Sequence, residues 1–330
     1  MQYVKFGNTG MDVSRICLGM MSFGKPGIEN GLFPWALTID KARPIFKKAI
    51  DLGINYFDTA NVYQTGSSEI VTGQLIKEFG LDRDDIVVAT KVDMEMRKGR
   101  PNGHGLSRKE ILSEIDKSLK RLQLDYVDVY QIHRLDPETP MEEIMEALND
   151  VVKSGKARYI GCSTIWSWQL ERMQQIAEKH GWQKFVSIQP QYNLMYREEE
   201  REIMPLAQDR KMAVVPWSPL AGGRTARPWG TQTARTKIDP VSPEVWDSTA
   251  DIDKPVVDNL EKVAKAAGRT MAQESLAWML SKPYITAPIV GTTDVKHVEE
   301  AVSAIDIKLD DDEIKALEAP YKPHFQNGIY

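Results

Sequence analysis

Eight short apolar runs punctuate this chain, separated by longer stretches of helical period, and this alternation limits the fold more than any other feature. The runs are ICLG (16–19), INYFD (54–58), IVVAT (86–90), YVDVYQI (126–132), ARYIGC (157–162), FVSIQ (185–189), MAVVPW (212–217) and ITAPIV (285–290). A continuous apolar run suits a strand covered on both faces, as in a parallel sheet flanked by helices. Most intervals between runs have room for one crossover helix; the last is longer and carries an inserted loop. Eight strand–helix units in series point to an α/β fold, a closed (β/α)8 TIM barrel rather than an open doubly wound sheet. Strand identity alone does not establish closure.

Helix borders support the alternation. Ser107-Arg108-Lys109-Glu110 reads as a capping box, and Thr270-Met271-Ala272-Gln273 repeats the pattern. Thr139-Pro140-Met141-Glu142 reads as a cap, a proline at the first helical position and an acid. Gly53, Gly155 and Gly181 fall where helices should stop. YVKF and MDVSR, around Asn8-Thr9-Gly10, predict an N-terminal hairpin that plugs the barrel bottom. Three loops are longer than connectors need: Gly24–Thr38, Asp93–Leu106 and Ala221–Lys254. All follow strands, so all belong on the upper face as lids or pocket walls. The third is rich in Gly, Pro, Arg and Thr and is the best lid candidate; a plain insertion is the alternative. No linker divides the chain, which predicts a single domain over 1–330.

The 330 residues are 42% hydrophobic, enough for one large core. Net charge is −5, with 42 basic and 47 acidic residues and no basic run, so no nucleic-acid partner is expected. Two cysteines, Cys17 and Cys162, are too few for a disulfide framework and suit a reducing cytosol. MQYVKFGNTG has no apolar leader region, and no run is long enough to span a bilayer. The expectation is a cytoplasmic protein with no membrane partner, a monomer or weak homo-oligomer.

Four polar residues stand at or just past the strand runs: Asp58 and Tyr63 in FDTANVY, Lys91 in VVATK and His133 in VYQIH. Parallel neighbouring strands bring their carboxyl ends to one face, so these side chains can converge. An unperturbed tyrosine has a pKa of about 10. A nearby ammonium favours the phenolate and lowers that value. An aspartate would hold the lysine charged, and a histidine can donate to a carbonyl oxygen. Singly, each residue is as readily a cap, an ion-pair partner or packing. Together they suit protonating an oxygen while a hydride reaches the adjacent carbon.

GINYFDTANVYQTGSSE, VVATKV and DVYQIHR resemble the signature segments of the aldo-keto reductases, and the similarity covers nearly the whole chain. SRICLGMMSFG, LNDVVKSGKARYIGCST, YNLMYREEEREIMPL and VVPWSPLAGGRTARPWG look closest to the bacterial YajO-type branch. Fungal aryl-alcohol and versiconal-type reductases are similar in the same segments. The resemblance implies NADPH-dependent reduction of aldehydes or ketones. Tyr63 would be the general acid, Lys91 would lower its pKa, Asp58 would pair with Lys91, and His133 would orient the carbonyl.

It also implies an NADP site without a GxGxxG loop. Ser163 and Gln189 match positions that hold the nicotinamide amide, and Thr164 stands where many members carry Asn. Trp217 matches the ring stacked on the nicotinamide. Ser218, Pro219, Leu220 and Gly222 match contacts to the pyrophosphate, and Gly19, Met20 and Asp58 complete this end. Gly291-Thr292-Thr293-Asp294 leads into a helix whose N-terminus suits a phosphate, helped by Lys296 and His297. An ordinary N-cap is the bland reading. His297 replaces the usual Arg or Gln. Glu300 matches the adenine contact, and Ala301 replaces Asn. Arg224, Arg227 and Arg235 either clamp phosphates as the long loop closes or are solvated lid charges.

Met21, Trp35, Met94 and Trp166, with Met20, are expected to wall the substrate pocket, an apolar surface suited to aromatic or medium-sized carbonyl compounds; for Trp35, mid-loop, an exposed or core role is the equal alternative. Trp168 reads as helix packing. His104, His180 and His324 are isolated, and no metal-ligand cluster occurs. Two rival readings use the same residues. Lys91 could form a Schiff base, as in barrel aldolases, or the chain could be a cofactor-binding regulatory subunit like the potassium-channel β-subunits.

Overall fold

The computed structural model describes residues 1–27 and 33–325. Part of the expected loop Gly24–Thr38, residues 28–32, lies outside them. Strands β1 (Tyr3–Lys5) and β2 (Asp12–Ser14) form the expected antiparallel hairpin, Tyr3 opposite Ser14. The other eight strands are parallel: β3 (Cys17–Gly19), β4 (Tyr56–Asp58), β5 (Val87–Val92), β6 (Val127–Ile132), β7 (Ala157–Ser163), β8 (Phe185–Gln189), β9 (Ala213–Val214) and β10 (Ile289–Gly291). They follow chain order, with β10 returning beside β3. Thr286 N donates to Val214 O and Ile289 N to Pro216 O, both at 2.9 Å, so the segment entering β10 also meets β9 and the ring closes. The last two ladders are shorter than the apolar runs. Pro216 and Pro288 lack the N–H that a ladder needs.

Eleven α-helices occur among the described residues: α1 (Ile39–Asp51), α2 (Ser67–Glu78), α3 (Arg108–Leu122), α4 (Met141–Lys153), α5 (Ser167–His180), α6 (Ile203–Asp209), α7 (Val241–Trp246), α8 (Ala250–Ala266), α9 (Met271–Ser281), α10 (Val295–Ser303) and α11 (Asp311–Glu318). Ser107 caps α3 and Thr270 makes a full capping box with Gln273. Two borders differ from expectation. Pro140 is the N-cap of α4 itself, because the Thr139 hydroxyl turns away to donate to Asp136 Oδ2 at 2.5 Å. The long upper loop ends at Ala250 rather than Lys254, and α7 lies inside it. Asp251 and Asp253 in the first turn of α8 favour the early start.

Side chains along each strand alternate between two environments. Ile16, Phe57, Val88, Tyr130, Ile160 and Ile188 face the helices in the larger core. Phe6, Tyr56, Val87, Ala89, Val129, Ala213 and Ala287 form a second cluster inside the barrel. Phe6, from the hairpin, is fully buried and meets Tyr56 edge-on at 5.7 Å, so the hairpin seals the lower end. No helix among the described residues is long and apolar enough to cross a membrane.

Candidate active site

Two residues further along the same strands, the barrel interior becomes polar. Asp58 follows Tyr56 by that step, Lys91 follows Ala89, Gln131 follows Val129 and Gln189 follows Ser187. The period of two keeps all four inward at the carboxyl ends of β4, β5, β6 and β8.

Lys91 is completely buried. Its ammonium donates to Asp58 Oδ1 at 2.5 Å, Thr59 O at 2.8 Å and the Tyr63 oxygen at 3.2 Å. An ammonium has three hydrogens, and all three are used. The Tyr63 oxygen accepts from Lys91, which leaves the phenolic hydrogen to be donated elsewhere. The second Asp58 oxygen accepts from Gln131 Nε2 at 3.0 Å and Gln189 Nε2 at 2.9 Å. His133, just past β6, packs edge-on against the Tyr63 ring with centroids 5.6 Å apart. The structure thus brings together all four residues expected from the sequence. Gln131 was missed; its signal was an amide in an apolar strand, in phase with His133.

Burial governs the proton affinities. The Lys91 ammonium is pulled down by desolvation, but Asp58 and Tyr63 more than offset this, and its pKa rises. The Tyr63 phenol departs from the expected direction. Desolvation pushes its pKa up, Lys91 pulls it down, and the net is a rise. The sequence identified the cation but could not register how dry the phenol's surroundings are. His133 is held well below its ordinary value, first by burial and then by the Lys91 and Arg134 charges. Its imidazole is therefore neutral at physiological pH, and its Nδ1 has no partner among the described residues.

A groove of about 810 Å³ runs from Tyr63 and His133 to the start of α10. Gly19, Asp58, Ser163, Gln189, Trp217, Ser218, Pro219, Leu220 and Gly222 line it, with Gly291, Thr292, Thr293, His297 and Glu300 further along. Met21 and Met94 line it as well. Met20, Thr164, Trp35 and Trp166 are absent from its wall. Met20 is packed in the core. Thr164 lies beside the groove and accepts from Trp217 Nε1 at 3.0 Å, fixing that ring. Trp35 is buried against Phe33, with the Arg235 guanidinium 3.6 Å above its ring. Trp166 is 51% exposed and Trp168 59%, and neither lines the groove. Phe33 and Arg134 line the groove unforeseen.

The three loop arginines separate. Arg224 pairs with Asp247 at 2.5 Å and is not on the groove wall. Arg235 lines the groove but pairs with Asp239 at 3.1 Å. Arg227 lines it, has no acidic partner among the described residues, and has its pKa lowered by burial. At the far end, Asp294 caps α10 and takes the Lys296 N–H at 2.9 Å, so one donor expected for a phosphate is already used. The Thr292 hydroxyl donates to Asp294 O at 2.9 Å and lies 3.1 Å from His297 Nδ1. Glu300 accepts from the Thr270 hydroxyl.

Comparison with known proteins places the sequence that builds this site in a family. A model of the aldo/keto reductase family matches residues 15–322. Versiconal hemiacetal acetate reductase of Aspergillus parasiticus is 41% identical, over 98% of this chain and 98% of its own. A candidate aryl-alcohol dehydrogenase of Saccharomyces cerevisiae is 38% identical, over 98% of each chain. An aldo-keto reductase of Fusarium vanettenii is 37% identical, over 97% of this chain and 91% of its own.

Proposed function

We propose that this chain, which belongs to the aldo/keto reductase family, reduces aldehydes or ketones to alcohols with NADPH, and that Tyr63 donates the proton. The observation that carries the reading is the triangle of Asp58, Lys91 and Tyr63 at one end of a long groove, with His133 beside it. When bound, the reduced nicotinamide supplies the hydride from C4.

The residues present fit a dinucleotide. Trp217 lines the groove near the triangle, and Ser163 and Gln189 offer polar groups beside it. Arg227 supplies a half-buried cation with no acid committed to it among the described residues, which suits a phosphate. Because Asp294 already occupies the α10 terminus, a 2′-phosphate would rely on Arg227, Thr293 and His297, and NADPH preference rests on them.

Each catalytic group then has one task. Lys91 donates to the Tyr63 oxygen, so the phenol points its hydrogen at the substrate and the ammonium steadies the phenolate that forms. Asp58 keeps Lys91 charged. His133, being neutral, serves as a hydrogen-bond donor to the carbonyl rather than as an acid. In alcohol oxidation the same groups take the proton back. Met21, Phe33 and Met94 line the groove with adaptable apolar surface. That favours aromatic or medium-sized carbonyl compounds, in keeping with relatives named for aryl alcohols and versiconal hemiacetal acetate. The Schiff-base alternative needs a neutral amine, which the raised Lys91 pKa opposes. A purely regulatory role predicts instead a stable protein partner with negligible turnover across a panel of carbonyl compounds.

The test is NADPH consumption with aromatic, aliphatic and sugar aldehydes, ketones and quinones, with NADH alongside. Tyr63→Phe should lose about 10²–10⁴ in kcat, the usual share of general acid catalysis, while NADPH still quenches tryptophan fluorescence. Undiminished turnover in that variant, or none in the wild type on any substrate, would end this reading.

A further inference from the structure

Immediately after Tyr63 the backbone turns left-handed for three residues: Gln64 (φ 50°, ψ 39°), Thr65 (φ 52°, ψ 46°) and Gly66 (φ 87°). Only glycine enters this region without steric cost. Gly66 is also needed for space, since a Cβ there would lie 2.6 Å from Arg121 Cδ. Arg121 is itself fixed by Glu69 at 2.5 Å. Gln64 has no such excuse, and its side chain shows what it is doing there. It is 2% exposed, and its amide nitrogen donates to Phe33 O at 2.6 Å. Its Oε1 is buried without a partner among the described residues. A buried amide left half unsatisfied, on a strained backbone, persists where its one good bond matters. Gly24 presses on the same side chain, and a Cβ there would fall 3.0 Å from Gln64 Cβ and Cγ.

Phe33 is a groove-lining residue. Its ring meets Trp35 at 5.2 Å, and Trp35 carries Arg235, which Asp239 anchors in the long upper loop. A continuous set of contacts thus joins the turn holding the Tyr63 phenol to the apolar wall and the loop across the groove. We infer that Gln64 is a positioning residue for the carbonyl reduction, bolting the proton donor's turn to the substrate wall so that seating an apolar substrate against Phe33 fixes the phenol against Lys91. This rests on Tyr63 being the proton donor.

Two substitutions test it. Gln64→Gly removes the bond and relieves the backbone, so the fold is kept. Gln64→Asn keeps an amide and a left-handed residue but is too short to reach Phe33 O. Both should lower kcat on an aromatic aldehyde about tenfold to a hundredfold, the scale of a small misplacement, with NADPH affinity within about twofold of wild type. Moving the phenol from Lys91 weakens the cation's downward pull on its pKa. The alkaline limb of the kcat profile for reduction should therefore shift upward in both variants. Wild-type kcat and an unmoved limb in either variant, with Tyr63→Phe inactive, would overturn the role of Gln64 alone. An active Tyr63→Phe would instead overturn the proton-donor reading beneath it.

Discussion

The barrel interior has two levels built on the same strands, and they differ in almost every physical respect. The lower level, from Phe6 to Ile289, is apolar and interlocked. The upper, one side-chain step on, buries an ammonium, a carboxylate and two amides in mutual contact. The lower level stabilises the fold by removing apolar surface from water. The upper is costly to bury and tolerable only because each charge is paired and hydrogen-bonded. Two tyrosines make the contrast concrete. Tyr56 points into the lower level with its hydroxyl unpartnered among the described residues, whereas the Tyr63 hydroxyl is met by Lys91. Within one closed sheet, stability and chemistry are separated by a two-residue register.

Lys91→Met puts the strongest strain on this contrast, because it should harm both properties. It leaves Asp58 buried without its counter-ion, a loss of about 3–5 kcal/mol, and turnover should vanish with it. Urea unfolding and kinetics on the same preparation would show this; a variant as stable as wild type would mean the upper level is not held by its ion pair. Phe6→Ala should damage the lower level alone, costing about 3–5 kcal/mol while kcat below the melting point stays unchanged. A large kcat loss there would show that the two levels are mechanically coupled.

Acid should distinguish the levels more gently. His133 has a folded pKa below its unfolded value, so its contribution to stability is complete above the unfolded value of about 6.5 and is lost as pH falls below it. Stability should decline by up to about 1.4 kcal/mol per pH unit in that range from this residue, and His133→Gln should flatten the slope relative to wild type. Identical urea midpoints against pH for the two proteins would remove His133 as the cause. The smallest effect is expected at Tyr56→Phe, which deletes an unsatisfied buried hydroxyl. It should change stability by under about 1 kcal/mol, in either direction, and leave kcat intact. A Tyr56 variant that loses activity would erase the boundary between the levels.

Much of the site was legible in the chain because strands report their own parity. Asp58, Lys91 and His133 sit at the ends of apolar runs, and once those strands are parallel neighbours they must meet. Gln131 carried the same signal and was overlooked, since an amide suggests less chemistry than a charge. Loop residues were read less well. Trp35 and Trp166 both follow strands, yet one is buried under Arg235 and the other faces solvent. A loop side chain's neighbours come from other loops, and no local period encodes them.

Taken by itself, the sequence determined the eight strand–helix units, the N-terminal hairpin and the four polar residues at or just past the strand ends, because periodicity and strand-end position are local properties. Only the tertiary structure decided that the Tyr63 pKa rises rather than falls, that Arg227 alone of three arginines lines the groove without an acidic partner among the described residues, and that Gln64 reaches Phe33. Desolvation and partner choice arise between segments far apart in the chain, and they exist only once the barrel and its loops have closed around the site.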